Sequence, residues 1–132
     1  MRQIADTGFL VAYWNKADVH HRWARRLTVN APLRSCEAVL TETAYLLGTP
    51  VPILQMLADG DLTTDFQAEK DATDLILWLE KFADLDPGFT DACVVKLGEL
   101  NPREEILTTD RRDFSAYRTL GGKPLRCVFP PL

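Results

Sequence analysis

Four acidic residues that together could bind a cation are spread along this 132-residue sequence: Asp6, Glu42, Asp91 and Asp110. Carboxylates that converge repel one another and raise one another's pKa, and a bound divalent cation relieves that repulsion. Oxygen donors of this kind suit the hard cations Mg²⁺ and Mn²⁺. Whether these residues form one site depends on the elements that carry them.

The elements that must carry these acids are short apolar strands that alternate with helices. Strands are predicted at 2–5, 32–36, 60–66, 104–109 and 126–129. Helices are predicted at 6–15, 17–30, 37–48, 52–59, 68–86 and 89–100. Short strands separated by helices imply crossover connections and a parallel sheet covered on both faces. The sequence therefore predicts an α/β fold, a three-layer α/β/α sandwich with a central parallel sheet, in one domain over 1–132.

Two of the acids directly follow predicted strands. Asp6 comes after the first strand, and Asp110 comes after the fourth. In open parallel sheets, ligands bind at the carboxyl ends of the strands, near the point where the strand order reverses. If these two strands are neighbours, their ends lie roughly 5 Å apart. We therefore expect Asp6 and Asp110 to share one edge of the sheet.

Glu42 lies in the middle of a predicted helix and is surrounded by apolar side chains. Ala38, Val39, Tyr45 and Leu46 are three or four residues away and share its face. The sequence thus predicts a buried carboxylate, which needs a partner or a cation to offset its desolvation.

Some of the acids also have a purely structural interpretation. Asp91 lies in the first turn of its helix, where negative charge is favourable. Asp6 or Thr7 could cap the helix that follows, and Asp113 could cap a short helix that runs to Tyr117. The cation hypothesis therefore depends on the four acids acting together.

Apolar periodicity predicts which faces of two helices are buried. In the helix starting near Asp18, Val19, Trp23 and Leu27 recur every four residues. In the helix at 68–86, the predicted core stripe has six members: Ala72, Leu75, Ile76, Leu79, Phe82 and Ala83. Trp14, like Trp23, is predicted to lie in the core.

Composition favours a globular protein of a reducing compartment. Hydrophobic residues make up 46% of the chain, enough for a core, and no apolar run reaches the ~18–20 residues of a membrane span. The N-terminal stretch lacks the pattern of a signal peptide. Cys36, Cys93 and Cys127 are too few for a disulfide framework. We expect a soluble, cytoplasmic protein, and the net charge of −4 leaves any phosphate binding to local arginines.

Basic side chains near the acids allow two interpretations. Arg111 and Arg112 follow Asp110 directly and could contact phosphate or lie in a solvated turn. A second basic group on the predicted second helix is interpreted as surface: Arg22, Arg25 and Arg26. His20 and His21 point about 100° apart on a helix, so the sequence does not favour a shared ligand.

Four segments in register resemble the PIN domain. They are "IADTGFLVAYWNKADVHH", "EAVLTETAYLL", "FADLDPGFTDACVVKL" and "ILTTDRRDFSAYR", and they cover nearly the whole chain. The closest likeness is to the VapC-type ribonuclease toxins of toxin–antitoxin pairs. The strongest pieces place an Asp and a small hydroxyl residue after the first strand, and the pattern T-x-D-x-x-D-F after the fourth.

This resemblance implies a Mg²⁺- or Mn²⁺-dependent endoribonuclease. Its acidic quartet corresponds to Asp6, Glu42, Asp91 and Asp110, with Asp113 at a position that sometimes assists. Thr7 and Thr109 match small hydroxyl positions that order a water or a ligand. The family likeness further implies an RNA substrate, a cognate antitoxin protein and a homodimer.

Three other functions compete with a toxin. A phosphoacceptor signalling domain has a similar size and a parallel sheet, but it needs an acidic pair after the first strand, where this sequence has Asp6 alone. A PIN-fold binding protein without chemistry would not need the complete acidic set. A housekeeping RNA-processing nuclease without an antitoxin fits the same residues as the toxin does.

Overall fold

The computed structural model describes residues 2–27, 29 and 32–132, and within them a parallel sheet is surrounded by helices. The strands are β1 (Gln3–Ala5), β2 (Leu33–Arg34), β3 (Leu62–Thr63), β4 (Glu105–Leu107) and β5 (Cys127–Val128). The helices are α1 (Thr7–Trp14), α2 (His21–Arg26), α3 (Glu37–Leu47), α4 (Val51–Ala58), α5 (Ala72–Lys81), α6 (Phe89–Leu100) and α7 (Arg111–Ala116). The predicted three-layer α/β/α fold with a central parallel sheet is confirmed. Among the described residues, no helix is long and apolar enough to cross a membrane.

The strand order β3-β2-β1-β4-β5 puts β1 at the centre of the sheet. From β1 the chain adds β2 and β3 on one side, and it later returns to add β4 and β5 on the other. The order therefore reverses between β1 and β4, where Ala5 pairs with Leu107. The Asp6 N–H donates to the Leu107 carbonyl at 3.0 Å and continues this pairing. The segments that follow β1 and β4 consequently leave the sheet side by side.

Apolar residues on both faces of the sheet explain its position in the core. All three residues of β1 are buried, and so are Ile106 and Leu107 of β4. Helix α6 covers this region with Val94, Val95 and Leu97, which are at most 2% exposed. Burial on both faces is the usual situation of parallel strands.

The predicted second helix begins later than its apolar pattern indicates. The Asp18 carboxylate accepts the His20 N–H at 2.8 Å, which forms a turn, and α2 begins at His21. Val19 therefore lies outside the helix and is 87% exposed, so its assignment to the core was wrong. Trp23 and Leu27 pack against the core as half-buried side chains. The predicted end of this helix includes positions 28 and 30, which lie outside the described residues.

The predicted helix at 68–86 is divided into three parts. Short 3-10 helices at Ala68–Asp71 and Ala83–Leu85 flank α5. The buried side chains of α5 are Leu75 and Trp78, whereas Ile76 is 58% exposed. The predicted stripe was wrong at Ile76. The large indole of Trp78 turns inward instead, and it donates to the Arg118 carbonyl at 2.8 Å. Of the other stripe members, Leu79 and Phe82 are half-buried, and Ala72 and Ala83 are exposed.

Candidate active site

At the carboxyl edge of β1 and β4, three aspartates influence one another's pKa. Asp6 follows β1 and is 6% exposed, Asp110 precedes α7, and Asp91 lies in the first turn of α6. Burial, and to a lesser extent the charges of Asp91 and Asp110, raises the pKa of Asp6 to about 6. Burial, assisted by the charge of Asp110, also raises the pKa of Asp91. The charges of these three acids therefore act on one another.

Thr108 links two of these aspartates. Its hydroxyl donates to Asp6 Oδ2 at 2.7 Å and accepts the Asp110 N–H at 3.1 Å. Asp6 occupies the position before α1 but makes no capping hydrogen bond there, so its carboxylate is not used to cap the helix. Thr109 was predicted as a site residue and Thr108 was not, because only the β1–β4 register places residue 108 beside residue 6.

Tyr117 is the hydrogen-bond partner of Asp91. Its hydroxyl donates to Asp91 Oδ2 at 2.9 Å, although the two residues are far apart in the sequence. The Tyr117 side chain is fully buried, and burial together with this hydrogen bond raises the pKa of the phenol. Tyr117 was predicted only as the end of a short helix and not as a residue of the site.

Asp110, and not Asp113, caps α7. Asp110 Oδ1 accepts the Asp113 N–H at 3.1 Å, so the prediction that Asp113 caps this helix was wrong. Burial raises the pKa of Asp110, and the nearby charge of Asp113 adds to that effect. Asp113 is half-buried, and its charge also raises the pKa of Asp91, so it lies near the three aspartates.

Glu42 is exposed, so the prediction of a buried carboxylate was wrong. The buried side chains of α3 are Val39, Leu40 and Thr43, which places Glu42 on a different face of the helix. Its neighbour Tyr45 is 84% exposed. The apolar pattern of α3 continues around the whole helix, and the sequence could not indicate which side faces solvent. Glu42 nevertheless remains attached to the site region by a hydrogen bond.

That hydrogen bond connects α3 with α6. The Thr90 hydroxyl donates to Glu42 Oε2 at 2.9 Å, and Thr90 is the residue before Asp91. Helices α3 and α6 pack against each other, which brings these two residues together. Glu42 therefore lies at the rim of the site.

The start of α1 contains a buried hydroxyl and a close contact with the loop that carries Asp110. Thr7 is 6% exposed, and its hydroxyl has no hydrogen-bond partner among the described residues. At the next position, a Cβ on Gly8 would overlap the Thr109 hydroxyl. Glycine is thus required for α1 to approach the loop that carries Asp110. The Thr109 side chain packs against this glycine.

Arg111 and Arg112 differ in their surroundings. The Arg111 guanidinium donates to the Pro130 carbonyl at 2.6 Å and lies 4.8 Å from the centre of the Phe129 ring. It therefore attaches α7 to the C-terminal segment. Arg112 is exposed, and its positive charge acts to lower the pKa of Asp110. Of the two arginines, Arg112 is the better placed to meet a phosphate.

Other residues from the sequence analysis serve in packing. His21 Nδ1 lies 2.7 Å from the Ala12 carbonyl, and this contact joins α2 to α1. The Arg25 guanidinium lies 3.9 Å from the centre of the Tyr13 ring. Trp14 is half-buried and packs against the core. All three cysteines are free.

The donor chemistry of the site fits a divalent cation, although the side chains do not form a finished cage. Within the described part of the chain, no three carboxylate, histidine or cysteine side chains are grouped as a metal site. One oxygen of each carboxylate is instead held by a hydrogen bond from elsewhere; the donors are the hydroxyls of Thr108, Thr90 and Tyr117 and the backbone N–H of Asp113. Mutual repulsion, oxygen donors and the unpartnered Thr7 hydroxyl all suit Mg²⁺ or Mn²⁺ with bound water.

We predict that replacing Asp6 with Asn stabilises the metal-free protein at pH 7.5 by about 1–3 kcal/mol. The pKa of Asp6 rises from 3.8 to about 6, so the folded state binds this proton more tightly than the unfolded chain. Its contribution to stability is fully present below pH 3.8 and is lost as the pH rises through about 6. Asn carries no charge, and the advantage of Asp6→Asn should therefore shrink as the pH falls to 4.5.

Urea unfolding in EDTA at both pH values measures this difference. The exposed acid Asp84 supplies the control, since Asp84→Asn should have little effect at either pH. An Asp6→Asn advantage that is absent at pH 7.5, or that is equal at both pH values, would contradict the prediction.

Comparison with known proteins identifies the family. No protein-family profile matches the chain. The sequence is 33% identical over 129 residues to Ribonuclease VapC26 of Mycobacterium tuberculosis (strain ATCC 25618 / H37Rv). The match covers 90% of this chain and 94% of that protein. The chain thus belongs to the VapC-type PIN-domain family of ribonuclease toxins.

Proposed function

We propose that this protein is a Mg²⁺- or Mn²⁺-dependent endoribonuclease and the toxin of a type II toxin–antitoxin pair. The observation that carries the proposal is the buried carboxylate of Asp6, whose pKa is about 6, at the reversal point of the sheet beside Asp91 and Asp110. A charged group is expensive to bury without a partner, so its retention there indicates a functional role.

The proposed cation ligands are Asp6, Asp91 and Asp110, with Glu42 at the rim and Asp113 in support. Each of the first three already has one oxygen fixed by a hydrogen bond, and its other oxygen would be the cation ligand. When bound, a divalent cation makes hydroxide available near neutral pH and stabilises charge on a phosphoryl group.

The remaining steps belong to residues of this chain. The Thr7 hydroxyl holds a water at the buried side of the site, which satisfies its missing hydrogen bond. Arg112 approaches the phosphate that is attacked and stabilises the charge that develops on it. From the family likeness, we expect products with 5′-phosphate and 3′-hydroxyl ends.

Protein partners are part of the proposal. An apolar cleft lies between α1 and α4 and is lined by Phe9, Tyr13, Trp14, Pro52 and Met56, among others. This cleft could receive a segment of the antitoxin. Exposed apolar side chains on α3 and α4 support further protein contacts, including a homodimer; they are Tyr45, Leu46, Val51 and Leu54. The whole of 1–132 is proposed as one nuclease domain that acts in the cytoplasm, where free cysteines are usual.

Replacement of Asp6 or Asp110 with Asn should remove RNA cleavage while the protein stays folded. Each change deletes a negative ligand, so the loss should exceed the about 10–100-fold that follows loss of an outer hydrogen-bond partner. Gel assays of a labelled RNA with Mn²⁺, with and without EDTA, measure the activity. Asp84→Asn is the matched control and should cleave like the wild type. Full-rate cleavage by Asp110→Asn in EDTA would contradict the metal mechanism.

The two adjacent arginines allow a matched test of phosphate binding. Arg112→Ala should raise the KM for RNA by about 3–10-fold, because one exposed charge near a phosphate contributes on the order of 1 kcal/mol. Arg111→Ala should mainly lower the stability of the fold, since its guanidinium holds the C-terminal segment. Steady-state kinetics and thermal unfolding of both variants separate the two effects. The opposite assignment of effects would show that Arg111 is the phosphate ligand.

A housekeeping nuclease remains the second candidate, because it would use the same residues. The relative is a ribonuclease, so a phosphoacceptor domain is no longer a candidate. A toxin should arrest growth when this chain is expressed alone, and the arrest should disappear with Asp6→Asn or with co-expression of a small neighbouring reading frame. Normal growth despite active enzyme in the cells would favour the housekeeping role. Sequencing of the RNA ends from the same cultures would identify the target.

A further inference from the structure

The ring of Tyr117 is held in place by three aromatic neighbours. Its ring lies 5.0 Å from Trp78, 6.0 Å from Phe82 and 5.2 Å from Phe114, measured between ring centres, and all three contacts are edge-on. The Trp78 indole is itself fixed by its hydrogen bond to the Arg118 carbonyl. The phenol therefore projects from a rigid aromatic cluster, and small displacements of its oxygen are resisted by close packing.

The only described hydrogen bond of this phenol goes to the site. Tyr117 donates to Asp91 Oδ2 at 2.9 Å, and Asp91 is carried by α6, a different element from the loop that follows α7. The aromatic cluster thus fixes a carboxylate that would otherwise rotate about its own side-chain bonds. When one oxygen of a carboxylate is fixed, its other oxygen can point only in a narrow range of directions.

We propose that Tyr117 is a positioning residue, which orients Asp91 so that its second carboxylate oxygen faces the cation held with Asp6 and Asp110. The inference rests on the proposed function, since it concerns the same cation site. Tyr117 does not touch the cation or the RNA. It reduces the rearrangement that Asp91 must undergo on binding, and the expected result of losing it is weaker cation binding with intact chemistry.

The direct test compares Mn²⁺ binding by four proteins: wild type, Tyr117→Phe, Asp84→Asn and Asp91→Asn. Loss of the free Mn²⁺ signal in electron paramagnetic resonance measures binding without RNA. Tyr117→Phe keeps the ring in its cluster and should weaken binding by about 10-fold or more, as expected for an outer hydrogen-bond partner. Asp84 is an exposed acid, so Asp84→Asn should bind like the wild type. Asp91→Asn should lose most of the binding.

Cleavage kinetics then separate positioning from simple damage to the fold. Raising the Mn²⁺ concentration should return the kcat of Tyr117→Phe to about the wild-type value, because saturating metal compensates for weaker binding. A deficit in kcat that persists at saturating Mn²⁺, with wild-type Mn²⁺ affinity, would overturn the proposal. Wild-type affinity and wild-type activity at limiting Mn²⁺ would overturn it as well.

A second measurement on the wild type remains decisive even if Tyr117→Phe does not fold. The chain contains three tyrosines, so labelling with ¹³Cζ-tyrosine gives three resolvable resonances. Tyr13→Phe and Tyr45→Phe assign two of them and leave Tyr117 by elimination. During titration with diamagnetic Mg²⁺, only the Tyr117 resonance should move, and its midpoint should match that of metal binding. A Tyr117 resonance that stays fixed while Mg²⁺ binds would overturn the inference.

The outcomes distinguish this inference from the proposed function. If the wild type binds Mn²⁺ and Asp91→Asn does not, while Tyr117→Phe binds normally, the cation site stands and the role of Tyr117 fails. If the wild type binds neither Mn²⁺ nor Mg²⁺, the proposed function fails, and the inference fails with it.

Discussion

The parallel pairing of β1 with β4 is the constraint on which the site depends. Ala5 lies opposite Leu107, and the next residue on each strand is polar and buried. These two residues, Asp6 and Thr108, then form a hydrogen bond of 2.7 Å at the edge of the sheet. A shift of one residue in this register would separate them and would also exchange the faces of the sheet to which the closely packed apolar residues of β4 point. The core therefore fixes the geometry of the site.

This arrangement buries the carboxyl group of Asp6, which makes its charged form unfavourable. Burial is the main cause of the raised pKa of Asp6, and the charges of Asp91 and Asp110 add to it. The protein keeps a carboxylate whose charge the fold itself disfavours, a common feature of functional sites. In the proposed metal-bound state a cation would offset this penalty, so its binding would also stabilise the fold.

The hydrogen bonds around the acids come from three different parts of the fold. Thr108 extends from the sheet, Thr90 belongs to the start of α6, and Tyr117 belongs to an aromatic cluster beside α5. Each donor fixes one oxygen of one acid. Rigid packing at some distance from the acids thus controls their orientation, and the layers of the fold contribute to the site even where they do not reach it.

The sequence by itself determined the layered α/β fold and the position of Asp6 and Asp110 at one edge of the sheet, because strands that alternate with helices imply a parallel sheet and residues after neighbouring strands share an edge. It could not determine the orientation of α3, which has apolar residues on more than one face, or the exact limits of the buried face of α5. Glu42 was predicted to be buried and Ile76 to face the core, whereas both are exposed. Only the tertiary structure selected Thr108 and Tyr117, since hydrogen bonds such as that between Asp91 and Tyr117 depend on register and packing across elements, which no local pattern records.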